Sequence, residues 1–160
     1  TLQDTSIHSI IESTKTFIEN KRKEYDLLGV VAFSAGGLLA GHILNSLDFA
    51  ILSYGILNLQ VNWNHYGTVQ HFCNLFSVSE DELTSSICPF NILSGKECPT
   101  MFYHSILDFI VHPLNSLLHY KYLKKNNIYS ELHLVNEGFH GDGINAFEWK
   151  SKVQQFLMCV

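Results

Sequence analysis

The hydrophobic positions in the first third of the chain change their spacing twice within a few residues. Over residues 4–23, apolar side chains recur every three or four positions with charged side chains opposite them, which predicts an amphipathic helix. Residues 27–33, LLGVVAF, form a continuous apolar run with a β-branched pair, a pattern typical of a strand buried on both faces of a parallel sheet. From residue 35 the helical spacing returns and extends to Leu47, so a second helix is predicted to follow the strand directly.

The stretch from residue 27 to residue 44 contains no charged side chain, and its eighteen residues are long enough to cross a membrane. A serine and two glycines interrupt it, and the composition changes sharply at the serine. A buried strand followed by a helix accounts for this change better than one membrane-spanning helix does. We therefore predict no membrane segment and a sharp turn with Ser34 at its corner.

The rest of the chain continues the alternation of strands and helices. Three further apolar segments predict strands at residues 49–54, 100–105 and 130–135. Helical spacing follows Pro113, which suits a first-turn position, and returns over residues 146–157. Such alternation predicts an α/β fold with a mostly parallel sheet flanked by helices, in a single domain spanning residues 1–160.

Residues 55–98 separate the second and third predicted strands by an unusually long region. It is rich in Asn, Ser and aromatic residues, and no long periodic pattern is evident in it. Within it, residues 79–82 have the capping-box form S-x-x-E, which predicts the start of a short helix. We expect this region to form a cap or substrate loop at the carboxyl edge of the sheet.

Composition and charge narrow the classes of function. The chain is 46% hydrophobic and 16% charged, as in a globular protein, and its net charge of −5 with scattered basic residues argues against a nucleic-acid partner. Its four cysteines include no C-x-x-C pair, so we predict reduced thiols, no metal site and no cofactor. No basic-then-apolar leader is visible, and the expected location is cytoplasmic.

Ser34 lies where the first predicted strand meets its helix. Residues 32–36 read A-F-S-A-G and differ from the nucleophile-elbow pattern G-x-S-x-G at the first position, where Ala32 replaces glycine. Small neighbours allow a tight turn that exposes the serine hydroxyl, with the N–H of Ala35 directed to where an oxyanion would form. The alternatives are a glycine-rich turn that only packs, or one that holds a phosphate at the helix N-terminus.

A nucleophilic serine needs a base and an orienting acid. His140 follows the last predicted strand in the glycine-rich segment NEGFHGDG, at the same sheet edge as Ser34. Asp108 follows the third predicted strand at that edge and is the candidate acid, with Glu137 a weaker one. Three predicted loop histidines stay open as alternative bases: His65, His71 and His112.

Four stretches resemble the α/β-hydrolase esterase/lipase family, close to its acetyl-esterase and acetylxylan-esterase-like members: VVAFSAGGLLAGH, CPTMFYHSILDFIVHP, LLHYKYLKKNNIYSELHLVNEGFHG and FEWKSKVQQFL. The chain order Ser, Asp, His is also that of these hydrolases. The resemblance implies Ser34 as nucleophile, Asp108 as acid and His140 as base. It further implies a serine hydrolase that cleaves small carboxylic esters, acetyl or other short acyl esters including those of sugars, through an acyl-enzyme.

Aromatic residues are the expected substrate contacts, namely Phe33, Trp63 and Tyr66. The family also carries a glycine-rich loop with a second oxyanion donor, and nothing in residues 1–26 resembles it. We therefore expect the chain to correspond to the C-terminal part of a hydrolase domain and to have weak activity. An uncovered apolar strand at residues 27–33 would favour self-association. One alternative function is that of a non-catalytic remnant of the fold, which binds or supports structure without turnover. Another is that of a peptidase or thioesterase on the same fold.

Overall fold

In the computed structural model, which is described for residues 6–62, 67–142 and 147–160, four strands alternate with six α-helices. The strands are β1 (Gly29–Phe33), β2 (Phe49–Ser53), β3 (Thr100–Ser105) and β4 (Ser130–Val135). The helices are α1 (Ile7–Arg22), α2 (Gly36–Gly41), α3 (Thr68–Phe76), α4 (Glu80–Ser85), α5 (Leu114–Lys125) and α6 (Phe147–Leu157). Short 3-10 turns occupy Leu44–Ser46, Leu59–Asn62 and Pro89–Ile92.

The sheet has the order β1-β2-β3-β4, and all three strand pairs are parallel. In its register Val31 lies opposite Ile51, and Ile51 lies opposite Met101. Because the strands run in one direction, the segments that follow them all emerge at the same edge. The predicted parallel α/β sheet is confirmed, and Ser34, Asp108 and His140 all follow strands at this edge.

Helices cover both faces of the two central strands. On one face, Ala50, Leu52 and Phe102 pack with Ile18 of α1 and Leu123 of α5. On the other face, α6 contributes Phe156 to a smaller cluster, together with Ile51, Met101 and Tyr103. Alternate residues of β2 and β3 therefore point into different clusters, which explains why both strands are buried almost throughout.

The prediction that the first strand is buried on both faces is wrong. Gly29 and Val31 of β1 are exposed, Val31 to 48%, and Leu27 just before the strand is 68% exposed. Ala32, by contrast, is buried. The reason is the position of β1 at the edge of the sheet, where, among the described residues, no strand pairs with its free side.

Two helices differ from the sequence expectation in extent. The helix α1 begins at Ile7, with the Ser6 hydroxyl accepting a hydrogen bond from the N–H of Ser9 as an N-cap. The helix after Ser34 ends at Gly41 and is followed by a separate 3-10 turn, although the spacing predicted that it would continue toward Leu47. The glycines in α2 lower its helix propensity, and a short helix results.

The region of residues 55–98 contains more regular structure than predicted. Helix α4 starts where the capping box indicates, because the Ser79 hydroxyl accepts a hydrogen bond from the N–H of Glu82. Helix α3 was not predicted. It buries Val69, Phe72 and Cys73 at a spacing of three and four residues, which is a helical signal confined to about two turns.

Candidate active site

The turn at Ser34 has the geometry of a strained strand-to-helix corner. Ser34 has a φ of +49°, a left-handed conformation that is unusual for a residue with a side chain. Its N–H donates to Ser53 O at 3.2 Å, and its carbonyl accepts from the N–H groups of Gly37 and Ile56 at 3.0 Å each. The bonds with Ser53 and Ile56 tie the corner to the end of β2 and the turn after it, and the bond with Gly37 ties it to α2.

The structure brings Ser34, His140 and Asp108 into one hydrogen-bonded line. Ser34 Oγ lies 2.7 Å from His140 Nε2, and His140 Nδ1 lies 2.8 Å from Asp108 Oδ2. A carboxylate can only accept, so Nδ1 carries the proton, and in the neutral ring Nε2 accepts from the serine hydroxyl. This is the arrangement in which an imidazole can remove the proton of a serine.

Asp108 is buried, and both of its carboxylate oxygens have polar partners. Its Oδ1 accepts from the N–H groups of Ile110 and Val111 at 2.9 Å each, while Oδ2 faces His140 and His104. Burial is the largest influence on the pKa of Asp108 and raises it, but hydrogen bonds from His104, His140 and Val111 outweigh burial and hold the pKa well below its usual value. The carboxylate is therefore charged at neutral pH.

The loop that carries His140 is shaped by glycines and by one aspartate. Gly138 and Gly141 have φ angles of +69° and +90°, which other residues rarely adopt. Asp142 Oδ2 accepts from the N–H of Phe139 at 2.8 Å, and Ser105 Oγ donates to Gly138 O at 2.7 Å. Asp142 therefore stabilises the loop and does not contact the His140 ring by a hydrogen bond.

Tyr54 supports the other side of His140. The two rings meet edge to face with centroids 4.9 Å apart, and Tyr54 is only 7% exposed. Tyr54 also has a left-handed φ, of +43°, and its N–H donates to Tyr103 O at 2.8 Å. Sequence analysis did not single out Tyr54, since a tyrosine at a strand end carries no specific signal.

A cavity of about 310 Å³ opens beside the serine. Its described lining consists of Ser34, Ala35, Ile56, His71, Phe72, Ile110 and Val111. The N–H of Ala35 has no hydrogen-bond acceptor among the described residues, so it is available to a group bound in this cavity. Four apolar side chains and one histidine complete the lining, which suits a small, largely apolar substituent.

The structure gives no support for the three residues expected to contact the substrate. Phe33 packs between Tyr54 and Trp149, with ring centroids 5.9 and 6.0 Å away, and it is not part of the described cavity lining. Trp63 and Tyr66 lie outside the described residues. The cavity residues of α3 lie within residues 55–98, which were expected to border the substrate site, whereas Ile110 and Val111 were not predicted, because their pairing with α3 depends on tertiary packing.

Several other described histidines hydrogen-bond to groups outside the proposed triad. His42 hydrogen-bonds to Ile87 O, His8 to Glu82, and His133 to Glu131. His71, predicted to lie in a loop, is in α3 and lines the cavity. His112 Nδ1 accepts from the N–H of Leu114, and His65 lies outside the described residues.

The described part of the chain contains neither a metal-binding cluster nor a membrane-spanning helix. No group of three or more His, Cys, Asp or Glu side chains there is placed to hold a metal ion. The four cysteines are free thiols. Within the same residues, every helix is too short or too polar to cross a lipid bilayer.

The sequence matches a known family over almost its whole length. The sequence profile of the prolyl oligopeptidase family matches residues 1–159. The chain belongs to the prolyl oligopeptidase family. No curated protein gives a significant match to the sequence.

Solved structures of hydrolases share the fold. An acetyl ester-xyloside bifunctional hydrolase from Caldicellulosiruptor lactoaceticus superposes with a TM-score of 0.74 at 24% identity, over 98% of this chain and 65% of its own. The carboxylesterase Cest-2923 from Lactobacillus plantarum superposes with a TM-score of 0.72 at 15% identity, over 97% and 69% of the two chains. The acylaminoacyl peptidase of Pyrococcus horikoshii superposes with a TM-score of 0.67 at 20% identity, over 80% and 23%.

These likenesses confirm the α/β-hydrolase fold that the sequence predicted. The chain spans about two thirds of the length of the Caldicellulosiruptor hydrolase and under a quarter of that of the Pyrococcus peptidase. At these identities the comparison concerns the fold, and the chemistry has to be argued from the site itself.

Proposed function

We propose that this member of the prolyl oligopeptidase family is a serine hydrolase that cleaves small carboxylic esters with Ser34, His140 and Asp108 as its triad. The observation that carries the proposal is the unbroken line from Ser34 Oγ through His140 to Asp108, with contacts of 2.7 and 2.8 Å. The free N–H of Ala35 beside the same cavity supports an oxyanion contact. The similarity to esterases in fold is in keeping with this chemistry.

The proposed reaction proceeds in two halves. Ser34 Oγ attacks the ester carbonyl carbon while its proton passes to His140 Nε2, and the N–H of Ala35 donates to the tetrahedral oxyanion. The carbon–oxygen bond to the alcohol then breaks, and His140 returns the proton to the leaving alkoxide. A water molecule repeats the sequence on the acyl-enzyme, which releases the carboxylic acid and restores Ser34. Asp108 keeps the proton on Nδ1 and stabilises the imidazolium throughout.

The lining of the cavity favours a short acyl group. Ile56, Phe72, Ile110 and Val111 present apolar surface in a volume of about 310 Å³, and the nucleophile lies at its wall. His71 is the one polar side chain of the described lining besides Ser34. We propose that the acyl chain contacts the apolar residues and that His71 faces a polar part of the substrate, such as a sugar hydroxyl.

Hydrolysis of amide bonds is the second candidate. It is favoured by membership of the prolyl oligopeptidase family and by the likeness in fold to an acylaminoacyl peptidase. An amine is a poorer leaving group than an alcohol and needs the same proton from His140. Parallel assays with an acetyl ester and an acetylated amino-acid anilide distinguish the two, since an esterase would cleave the ester alone.

Labelling with a fluorophosphonate tests the proposal directly. We expect a single adduct, located by mass spectrometry on Ser34, because the phosphonylation needs the same proton transfer as acylation. Ser34→Ala should abolish both the adduct and hydrolysis of p-nitrophenyl acetate. Ser46→Ala, which removes an exposed serine, is the matched control and should leave both unchanged. An adduct on another serine would contradict the assignment, and a chain that is folded but does not react would favour the non-catalytic alternative.

The rate of turnover is expected to be low. Among the described cavity residues, Ala35 provides the one backbone N–H directed at a candidate oxyanion, and loss of one of two donors costs on the order of a hundredfold to a thousandfold in rate. The rate can be measured as steady-state hydrolysis of p-nitrophenyl acetate, divided by the fraction of protein that the fluorophosphonate labels. Turnover at ordinary esterase rates would mean that a second donor acts within the chain.

A further inference from the structure

A second histidine lies behind the acid of the proposed triad. His104, near the end of β3, is fully buried, and its ring makes contacts on both nitrogens. Nδ1 lies 2.8 Å from Ser116 Oγ on α5, and Nε2 lies 3.0 Å from Val111 O and 3.3 Å from Asp108 Oδ2. This ring therefore connects β3, α5 and the segment that carries Asp108.

The partners of His104 determine where its proton lies. Val111 O can only accept a hydrogen bond, so Nε2 must carry the hydrogen. Nε2 therefore donates to Val111 O, and it also lies 3.3 Å from Asp108 Oδ2. In the neutral ring Nδ1 then accepts from the hydroxyl of Ser116, and every polar atom of the imidazole has a partner.

We propose that His104 is a positioning residue, which orients the carboxylate of Asp108 toward His140. The inference rests on the proposed triad. Oδ1 of Asp108 is held by two backbone N–H groups, but Oδ2, the atom that accepts from His140, has His104 as its only other described partner. His104 also binds the carbonyl of Val111 and so ties residues 108–111 to β3. Both contacts keep Oδ2 within 2.8 Å of His140 Nδ1.

The electrostatics of the acid agree with this geometry. Burial is the largest influence on the pKa of Asp108 and raises it, and the hydrogen bond from His104 is the largest of the influences that lower it. A histidine that served only to fill the core would not need a nitrogen at this carboxylate. His119, which is equally buried but has no carboxylate partner among the described residues, provides the comparison within the same protein.

Substitutions of His104 distinguish a role in positioning Asp108 from a role in packing the core. His104→Leu removes the N–H and keeps similar bulk, whereas His104→Gln keeps an N–H donor near the position of Nε2. Because His104 is buried and does not line the cavity, His104→Leu should lower kcat for p-nitrophenyl acetate about tenfold per labelled active site with KM unchanged, and His104→Gln should recover most of the loss. His119→Leu is the matched control and should leave kcat unchanged.

A spectroscopic measurement makes the test independent of turnover. The downfield proton resonance of the hydrogen bond from His140 Nδ1 to Asp108 should be present in the wild type and in His104→Gln, and should be lost or broadened by exchange in His104→Leu. If the three proteins show these resonances but the wild type does not hydrolyse esters, the positioning role of His104 is supported and the proposed function is wrong. If His104→Leu does not fold, Ser116→Ala, which keeps the imidazole but removes the donor to Nδ1, should weaken the same resonance. An unchanged resonance and kcat in a folded His104→Leu or Ser116→Ala variant would overturn the proposal.

Discussion

Ser34 and Tyr54, the residues that follow β1 and β2, both adopt left-handed backbone angles, with φ of +49° and +43°. Such conformations cost on the order of 1–3 kcal/mol each for residues with side chains and persist where surrounding contacts compensate. Here the compensation comes from hydrogen bonds of their N–H groups to Ser53 O and Tyr103 O. The strained residues directly flank His140, through the hydroxyl of Ser34 and the ring of Tyr54.

His119, a buried histidine outside the site, should make the folded protein less stable at acidic pH. His119 is fully buried between Phe90 and Phe102, and burial lowers the pKa of His119 to about 3, from a usual value of 6.5. In the folded protein it therefore stays neutral where the unfolded chain binds a proton. The free energy of unfolding should fall as the pH drops from about 6.5 toward 3, by up to about 1.4 kcal/mol per pH unit from this residue.

Urea denaturation of the wild type and of His119→Leu at several pH values measures this contribution. The variant has no group to protonate at this position. Its unfolding free energy should therefore fall less than that of the wild type as the pH drops from about 6.5 toward 3. His8→Leu, which removes an exposed histidine, serves as the control. Parallel pH profiles for the wild type and His119→Leu would contradict the prediction.

The length of the acyl group that the cavity accepts should depend on Ile110. Its half-buried side chain lines the cavity, whereas its backbone N–H holds Asp108, and Ile110→Ala shortens the side chain without removing that N–H. We expect kcat/KM to rise for p-nitrophenyl butyrate and hexanoate relative to the acetate. The control is Ile92→Ala, an exposed isoleucine outside this cavity, and an unchanged chain-length preference in Ile110→Ala would place the acyl group elsewhere.

At the scale of elements, the contact between α2 and the turn that follows β2 determines how the corner at Ser34 packs. A Cβ on Gly37 would lie 2.7 Å from Gly55 Cα and 2.8 Å from Ile56 N, both backbone atoms that cannot move independently. The same turn donates the Ile56 N–H to Ser34 O. The close approach of two glycines therefore allows the helix to pack where the serine corner needs it.

Gly37→Ala should disturb both stability and reactivity. We expect the free energy of unfolding to fall by about 1–3 kcal/mol, the range for overpacking, and labelling of Ser34 by fluorophosphonate to slow. Gly36→Ala is the matched control. Its Cβ would meet only Ala32 Cβ, at 3.7 Å, and alanine in a helix is more stable than glycine by roughly 0.5–1 kcal/mol. Equal effects of the two substitutions on stability and labelling would contradict this account of the contact.

At the scale of the whole molecule, β1 forms an edge of the sheet with exposed apolar side chains. On β1, Val31 is 48% exposed, and Leu27 beside the strand is 68% exposed. Strand edges of this kind pair with other strands unless charges oppose the approach. We propose that the wild-type chain self-associates through β1, and that Val31→Lys reduces the association because a charge would be brought against the partner strand.

Light scattering after size-exclusion chromatography at increasing concentrations checks this proposal. The average mass of the wild type should rise with concentration, while that of Val31→Lys should stay nearer the monomer. Leu157→Lys changes an equally exposed leucine on α6, away from the edge, and should behave as the wild type does. A concentration-independent monomer mass for the wild type would rule out the association.

Much of the fold could be predicted from local patterns in the sequence. The switch from LLGVVAF to small residues located the corner at Ser34, because a buried strand and a helix need different spacings of apolar residues. The positions of Asp108 and His140 after later strands placed them at the same edge, because parallel strands end together. Their catalytic roles stay predictions that labelling at Ser34 will test.

Other features depended on the tertiary structure. Helix α3 and the cavity lining bring His71 and Phe72 beside Ser34 and Ile110, and no local pattern encodes these pairings. The contact of Tyr54 with His140 and that of His104 with Asp108 depend likewise on how strands and loops pack, as does the exposure of β1. The sequence by itself determined which residues follow the strands, because backbone periodicity is local. Only the tertiary structure decided which side chains meet there, because those contacts join segments far apart in the chain.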